Sequence, residues 1–206
     1  MQILPASEKT VEMASRTVRA GGVIVYPTDT SYGLGCDPLN AVAVERVTRI
    51  KGGRTKPMPI LGNSITSLSR ICDFGERALR LAKAFWPGPL TMVLPAKPIV
   101  PEPFFSRSGV GVRIPDNHVA LEIIRLSGGL LTGTSANLTG GRSPRTVEEA
   151  AAQVGEMVDM LIGGGKTKYG SDSTVLDPVA PAMRMIRLGP ISLIEAELAL
   201  TQTRFP

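Results

Sequence analysis

The chain has 206 residues, 43% hydrophobic and 20% charged, with a formal net charge of +5 and an isoelectric point near 9.5. This length and balance suit one compact domain with its own core and exclude a disordered or fibrous chain. The basic balance favours an anionic partner such as nucleotide phosphate or nucleic acid. Two cysteines, Cys36 and Cys72, without a C-x-x-C pair or histidine cluster, give neither a disulfide framework nor a zinc motif. The N-terminus lacks a signal-peptide pattern, and no apolar run reaches the roughly 18 residues of a membrane span. A soluble, cytoplasmic protein without membrane contact is expected.

Apolar residues Val11, Ala14 and Val18 predict a helix over 7–20, stopped by Gly21 and Gly22. "VIVY" predicts a short strand, broken at Pro27, and Asn40 caps a helix through "AVAVERVTRIK" that ends at Gly52 and Gly53. "MPIL" predicts a strand, "ERALRLAKAFW" a helix stopped by Pro87, and "LTMVL" another strand. The proline-rich "PAKPIVPEPFFSRSG" reads as an irregular surface excursion. Next come a strand "VGVRI", a helix "VALEIIRL" and a strand "LLTGT". Thr146 and Glu149 have the Ser/Thr-x-x-Glu spacing of a helix start. The last third predicts strands "MVDMLI", "STVLD" and "MRMIRL" and a closing helix "SLIEAELAL". Helices interleaved with strands define an α/β class, here a single domain over 1–206 with its core over about 10–195 and one twisted mixed sheet.

Several predicted strands run into loops of hydroxyls, glycines and basic residues, and in open α/β sheets such strand ends gather around ligands. The stretch "GTSANLTGGRSP", between a strand and a capped helix, offers hydroxyls, one amide and Arg142. Hydroxyls, amides and backbone N–H groups can ligate phosphate, and Lys51, Arg54, Lys56 and Arg187 can neutralise it. "GGGKT" is not a P-loop, because Met160 stands where that motif needs glycine, and it reads as a loop. His118 is the sole histidine and reads as a surface or helix-start residue rather than a member of a Ser-His-Asp triad.

"VIVYPTDTSYGLG", "WPGPLTMVL", "GVRIPDN", "TSANLTG" and "STVLD" occur in the order and approximate spacing of the YrdC/Sua5 family, the threonylcarbamoyl-AMP synthases, which the chain resembles from Gly22 to about Ser192. The resemblance implies a YrdC-like fold with a basic central cavity, of the single-domain type. It also implies a nucleotidyl transfer in which L-threonine, bicarbonate or CO2, and ATP give threonylcarbamoyl-AMP and pyrophosphate, the first step of N6-threonylcarbamoyladenosine formation in tRNA. By the same resemblance Lys51 and Arg54 are the catalytic pair, and Lys51, Arg54, Lys56, Ser135, Asn137, Ser143 and Arg187 hold the nucleotide. Thr30, Arg113 and Ser173 line the threonine site, with Thr28, Asp29 and Tyr32 shaping it. Mg2+ is expected to travel with ATP or pyrophosphate rather than on protein ligands. Partners implied are RNA or tRNA and the downstream transferase proteins. The alternative is an RNA-binding protein of the same fold without catalysis. "KGGR" has one residue more than the family's Lys-x-Arg, and Gly52 and Gly53 are suited to absorb it in a turn with positive φ.

Overall fold

A computed structural model describes residues 2–53 and 57–202. In chain order the elements are β1 (Ile3–Pro5), α1 (Glu8–Arg19), β2 (Ile24–Tyr26), β3 (Gly33–Gly35), α2 (Ala41–Ile50), β4 (Ile60–Gly62), α3 (Ile65–Leu68), α4 (Glu76–Phe85), β5 (Leu90–Leu94) and β6 (Phe105–Ser106). They continue with β7 (Gly109–Arg113), α5 (His118–Leu126), β8 (Leu130–Thr132), β9 (Thr134–Ser135), α6 (Val147–Val154), β10 (Met160–Gly163), β11 (Thr174–Asp177), β12 (Arg184–Arg187) and α7 (Leu193–Gln202). Helix starts follow the capping chemistry of the sequence. The side chains of Ser7, Asn40, Asn117 and Thr146 accept from the first-turn amides of α1, α2, α5 and α6. Glu149 departs from the reciprocal capping pattern, since its carboxylate accepts from Arg145 N at 2.6 Å rather than from the cap residue.

The strands form two mixed sheets, where the sequence predicts one. The smaller has the order β1-β10-β2-β3-β9 and the larger β12-β11-β5-β7-β4-β8, with β6 added to β7. The segment "LLTGT", which reads as one strand, is the reason for the difference. It pairs with β4 of the larger sheet as far as Thr132, turns at Gly133, and pairs with β3 of the smaller sheet from Thr134. A side chain at Gly133 would put its Cβ 2.7 Å from Leu61, so only glycine lets the chain change sheets there. The proline-rich excursion is also less superficial than expected: Val100 and Phe104 are buried, and Phe105 and Ser106 pair with β7.

One rung of the larger sheet, Leu176, Met92, Val112, Ile60 and Thr132, is buried across its width. The neighbouring positions Val175, Thr91, Val93, Gly111, Arg113 and Leu61 point to the opposite face by strand alternation. At the β4–β8 end α5 covers that second face, where Leu61 and Leu131 pack with Ile123 and Ile124. Over β12, β11, β5 and β7 it is left open. Helix α1 packs on α5 and on β2 and β10, which ties the two sheets into one body. Among the described residues no helix is long and apolar enough to cross a membrane.

Candidate active site

The open face of the larger sheet forms the floor of a cavity of about 840 Å³, walled on one side by the loop after β2 and by β9 of the smaller sheet. The floor mixes polar and apolar groups, with Thr91, Arg113, Ser173 and Arg187 beside Val93, Val175 and Met185. Thr30, Ser31 and Ser135 add hydroxyls from the wall. Among the described residues the lining carries three arginines, Arg113, Arg184 and Arg187, and one carboxylate, Asp172, which pairs with Arg187.

Arg113 dominates this floor. It is buried within an apolar strand, which is tolerable only with partners. Nε donates to Gly88 O at 2.8 Å, Nη1 to Thr30 Oγ1 at 2.7 Å, and Nη2 to Asp29 Oδ1. Burial pushes the guanidinium pKa below its ordinary value and the Asp29 charge opposes that shift. The group remains a cation in the working pH range. Three of its five N–H donors are thus committed, and two remain for a ligand in the cavity it lines. Thr28 supports the arrangement from behind, its hydroxyl donating to Ser31 O at 2.6 Å and accepting from the amides of Thr30 and Ser31.

A second cluster joins Ser173 to Arg187. Ser173 Oγ lies 2.8 Å from Thr91 Oγ1 and accepts from Arg187 Nη2 at 3.0 Å, while Arg187 Nε donates to Ser173 O. The residues assigned to threonine and to nucleotide therefore touch.

Ser135 reaches the cavity, but Lys51 and Asn137 stand behind it and are not on the lining. Lys51 is buried, its ammonium donating to Ser135 O at 2.8 Å, Asn137 O at 2.5 Å and Asn137 Oδ1 at 3.2 Å. The Asn137 amide donates to Leu138 O and Gly141 O. Both residues fix the loop that presents Ser135. Ser143 is also off the lining and donates to Asp172. Arg54 and Lys56 lie outside the described residues. Gly52 and Gly53 do take positive φ, +67° and +72°, at the end of α2.

Tyr32 lies at the junction of three motifs. Its hydroxyl donates to Gly165 O at 2.7 Å and accepts from Gly164 N at 2.9 Å, and its backbone meets Pro144 and Ala136. The "GGGKT" loop is thereby anchored beside the cavity wall. His118 is the first residue of α5, away from the cavity lining. Burial pushes the thiols of Cys36 and Cys72 up to about 12, so both are inert thiols at neutral pH. Thr91, Arg184 and Asp172 are lining residues that sequence reasoning missed. Thr91 and Arg184 sit in strands read only for their apolar period, and Asp172 sits in a loop with no recognisable motif.

Fold and site together define an α/β protein with a cationic, hydroxyl-rich pocket on an open sheet face, suited to small anionic ligands. Residues 16–189 match the family model for Sua5, YciO and YrdC, described as "Telomere recombination". The chain belongs to this family. Over 200 residues it is 34% identical to the threonylcarbamoyl-AMP synthase of Pyrococcus abyssi, a match covering 96% of this chain and 59% of that one. A putative threonylcarbamoyl-AMP synthase of Methanocaldococcus jannaschii is 34% identical over 90% of this chain and 88% of its own length. The crystal structure of P. abyssi Sua5 complexed with L-threonine superimposes with a TM-score of 0.91 at 33% identity, covering 99% of this chain and 62% of that one. The chain thus spans about three fifths of the length of the first curated relatives it matches.

Proposed function

We propose that this domain is a nucleotidyltransferase that makes L-threonylcarbamoyladenylate and pyrophosphate from L-threonine, bicarbonate or CO2, and ATP. The observation that carries the reading is the contact between the two halves of the cavity floor, where Ser173 beside Thr91 is gripped by Arg187. An amino-acid subsite around Arg113 and a phosphate subsite around Arg187 then share one cavity. The names of the relatives and the threonine complex of the P. abyssi protein support the same reading.

The chemistry needs positioning more than a protein nucleophile. Threonine's amine and bicarbonate combine to a carbamate with loss of water. A carbamate oxygen attacks the α-phosphorus, and the bond to the β-phosphate oxygen breaks to release pyrophosphate. Holding two reactants in line supplies much of the acceleration, and fixed cations stabilise the charge gathering on the phosphates. Arg113 binds and orients the threonine carboxylate through its two uncommitted N–H groups. Arg187 and Ser135 hold phosphate, with Lys51 and Asn137 fixing the Ser135 loop. Mg2+ comes with the nucleotide, since Asp172, the one carboxylate on the described lining, is already engaged by Ser143 and Arg187. The product is an activated donor for a transferase acting on tRNA.

Labelled bicarbonate, ATP and a panel of amino acids test this directly. Pyrophosphate release is expected to require threonine and bicarbonate together, with serine turned over about 10–200-fold less efficiently for want of one methyl contact. Equal release with ATP alone would overturn the synthase reading.

A further inference from the structure

Asp172 has both carboxylate oxygens engaged. Oδ1 accepts from Ser143 Oγ at 2.8 Å and Oδ2 faces Arg187 Nη1 at 3.3 Å. The Asp172 and Arg187 side chains are 36% and 44% exposed, so the pair can exchange with a dissolved anion. The Asp29–Arg113 pair, at 0% and 6%, cannot do so without breaking the floor. Arg187 keeps hold of Ser173 through two bonds of 3.0 Å that need no carboxylate, so its guanidinium stays in place when Asp172 leaves. Asp172 is carried by the loop between β10 and β11, anchored upstream by Tyr32 and by Tyr169 N donating to Asp29 O. Positive φ at Gly165 and Gly170 punctuates that loop.

The geometry points to Asp172 as a selectivity-determining residue: a resident carboxylate that fills the phosphate subsite of Arg187 and yields it only to a more highly charged anion. This inference rests on the nucleotide site proposed above. An exposed carboxylate–arginine pair is weak and screened by salt. A polyphosphate brings several charges and strong acceptor oxygens to the same donors and displaces it, whereas a single carboxylate gains nothing over the residue already there. When pyrophosphate departs, Asp172 returns to its partners and opposes rebinding.

The test is calorimetric titration of ATP, pyrophosphate and adenosine into the full chain and into Asp172→Asn, which keeps the shape and removes the charge. At low salt ATP and pyrophosphate should bind the variant about 5–50-fold more tightly, because Asp172 no longer competes with the phosphates for Arg187. That gain should shrink at about 0.5 M salt, be absent for uncharged adenosine, and vanish when Arg187→Ala is added. A scaffold role would weaken the ligands instead. Weaker or unchanged pyrophosphate affinity, absent binding included, overturns the inference. Failure of the synthase reading is seen separately, as missing threonine- and bicarbonate-dependent pyrophosphate release by the wild-type chain.

Discussion

Arg113 illustrates how much one side chain can decide. Its partners Gly88, Thr30 and Asp29 come from two segments, the loop after β2 and the turn before β5, and Asp29 Oδ2 has no hydrogen-bond partner, so the carboxylate depends on this arginine. Lysine at the same place carries the charge but lacks the planar fork that serves three acceptors and still faces the cavity. Arg113→Lys is therefore expected to weaken threonine binding about 10–150-fold, the scale of one or two lost charge-assisted hydrogen bonds, with ATP binding much less affected. Arg113→Ala should also lower folding stability by roughly 3–5 kcal/mol, because it strands a buried carboxylate. Calorimetry with each ligand and urea unfolding read the two effects apart. A larger loss for ATP than for threonine would reverse the assignment of the subsites.

At the scale of elements, the first strand pair shows why a plain motif is needed. The Tyr26 ring lies across β3, where a Cβ at Gly33 or Gly35 would come within 2.7 Å of it, and its hydroxyl donates to Thr132 O at 2.8 Å. The alternating glycines of "YGLG" are the space that lets a tyrosine of the smaller sheet reach the larger one. Gly35→Ala should cost about 1–3 kcal/mol through overpacking, and Tyr26→Phe about 1–2 kcal/mol through an unpaired buried carbonyl. Denaturant midpoints at unchanged slope would report both; no loss in either variant would mean that the ring is not wedged.

The same elements show what a sequence can disclose. Helices α1, α2, α5 and α6 were legible because apolar period and cap residue agree in each. Strands β1 and β3 were not, since β1 ends in a proline directly before a helix cap and β3 is mostly glycine. Thr30, Arg113, Ser135, Ser173 and Arg187 were singled out by the family resemblance, and all five reach the lining. Lys51, Asn137 and Ser143 were equally visible, yet whether a polar side chain meets a ligand or its own loop depends on where that loop folds back, and no local pattern encodes that.

The whole molecule depends on the passage of one segment between two sheets. Thr132 ends β8 beside that passage, and its buried hydroxyl donates to Leu34 O at 2.8 Å and accepts from Cys36 N at 2.9 Å, while its carbonyl takes the Tyr26 hydroxyl. With the Thr132 amide donating to Cys36 O at 3.0 Å, four bonds from β2, β3 and the residue after β3 converge on one residue of the larger sheet. Thr132→Val preserves shape but leaves the Leu34 carbonyl and the Cys36 amide buried without a partner, at a cost of roughly 2–4 kcal/mol. If the sheets form one folding unit, as their shared α1–α5 cover implies, the loss must appear everywhere at once. Trp86, the single tryptophan, flanks α4 against the larger sheet and reports locally by fluorescence, whereas far-ultraviolet circular dichroism averages over both sheets. The two unfolding curves of the variant should shift by the same amount and remain superimposable. Separated midpoints would mean that the larger sheet holds its structure alone, and that the cavity between the sheets can open without global unfolding.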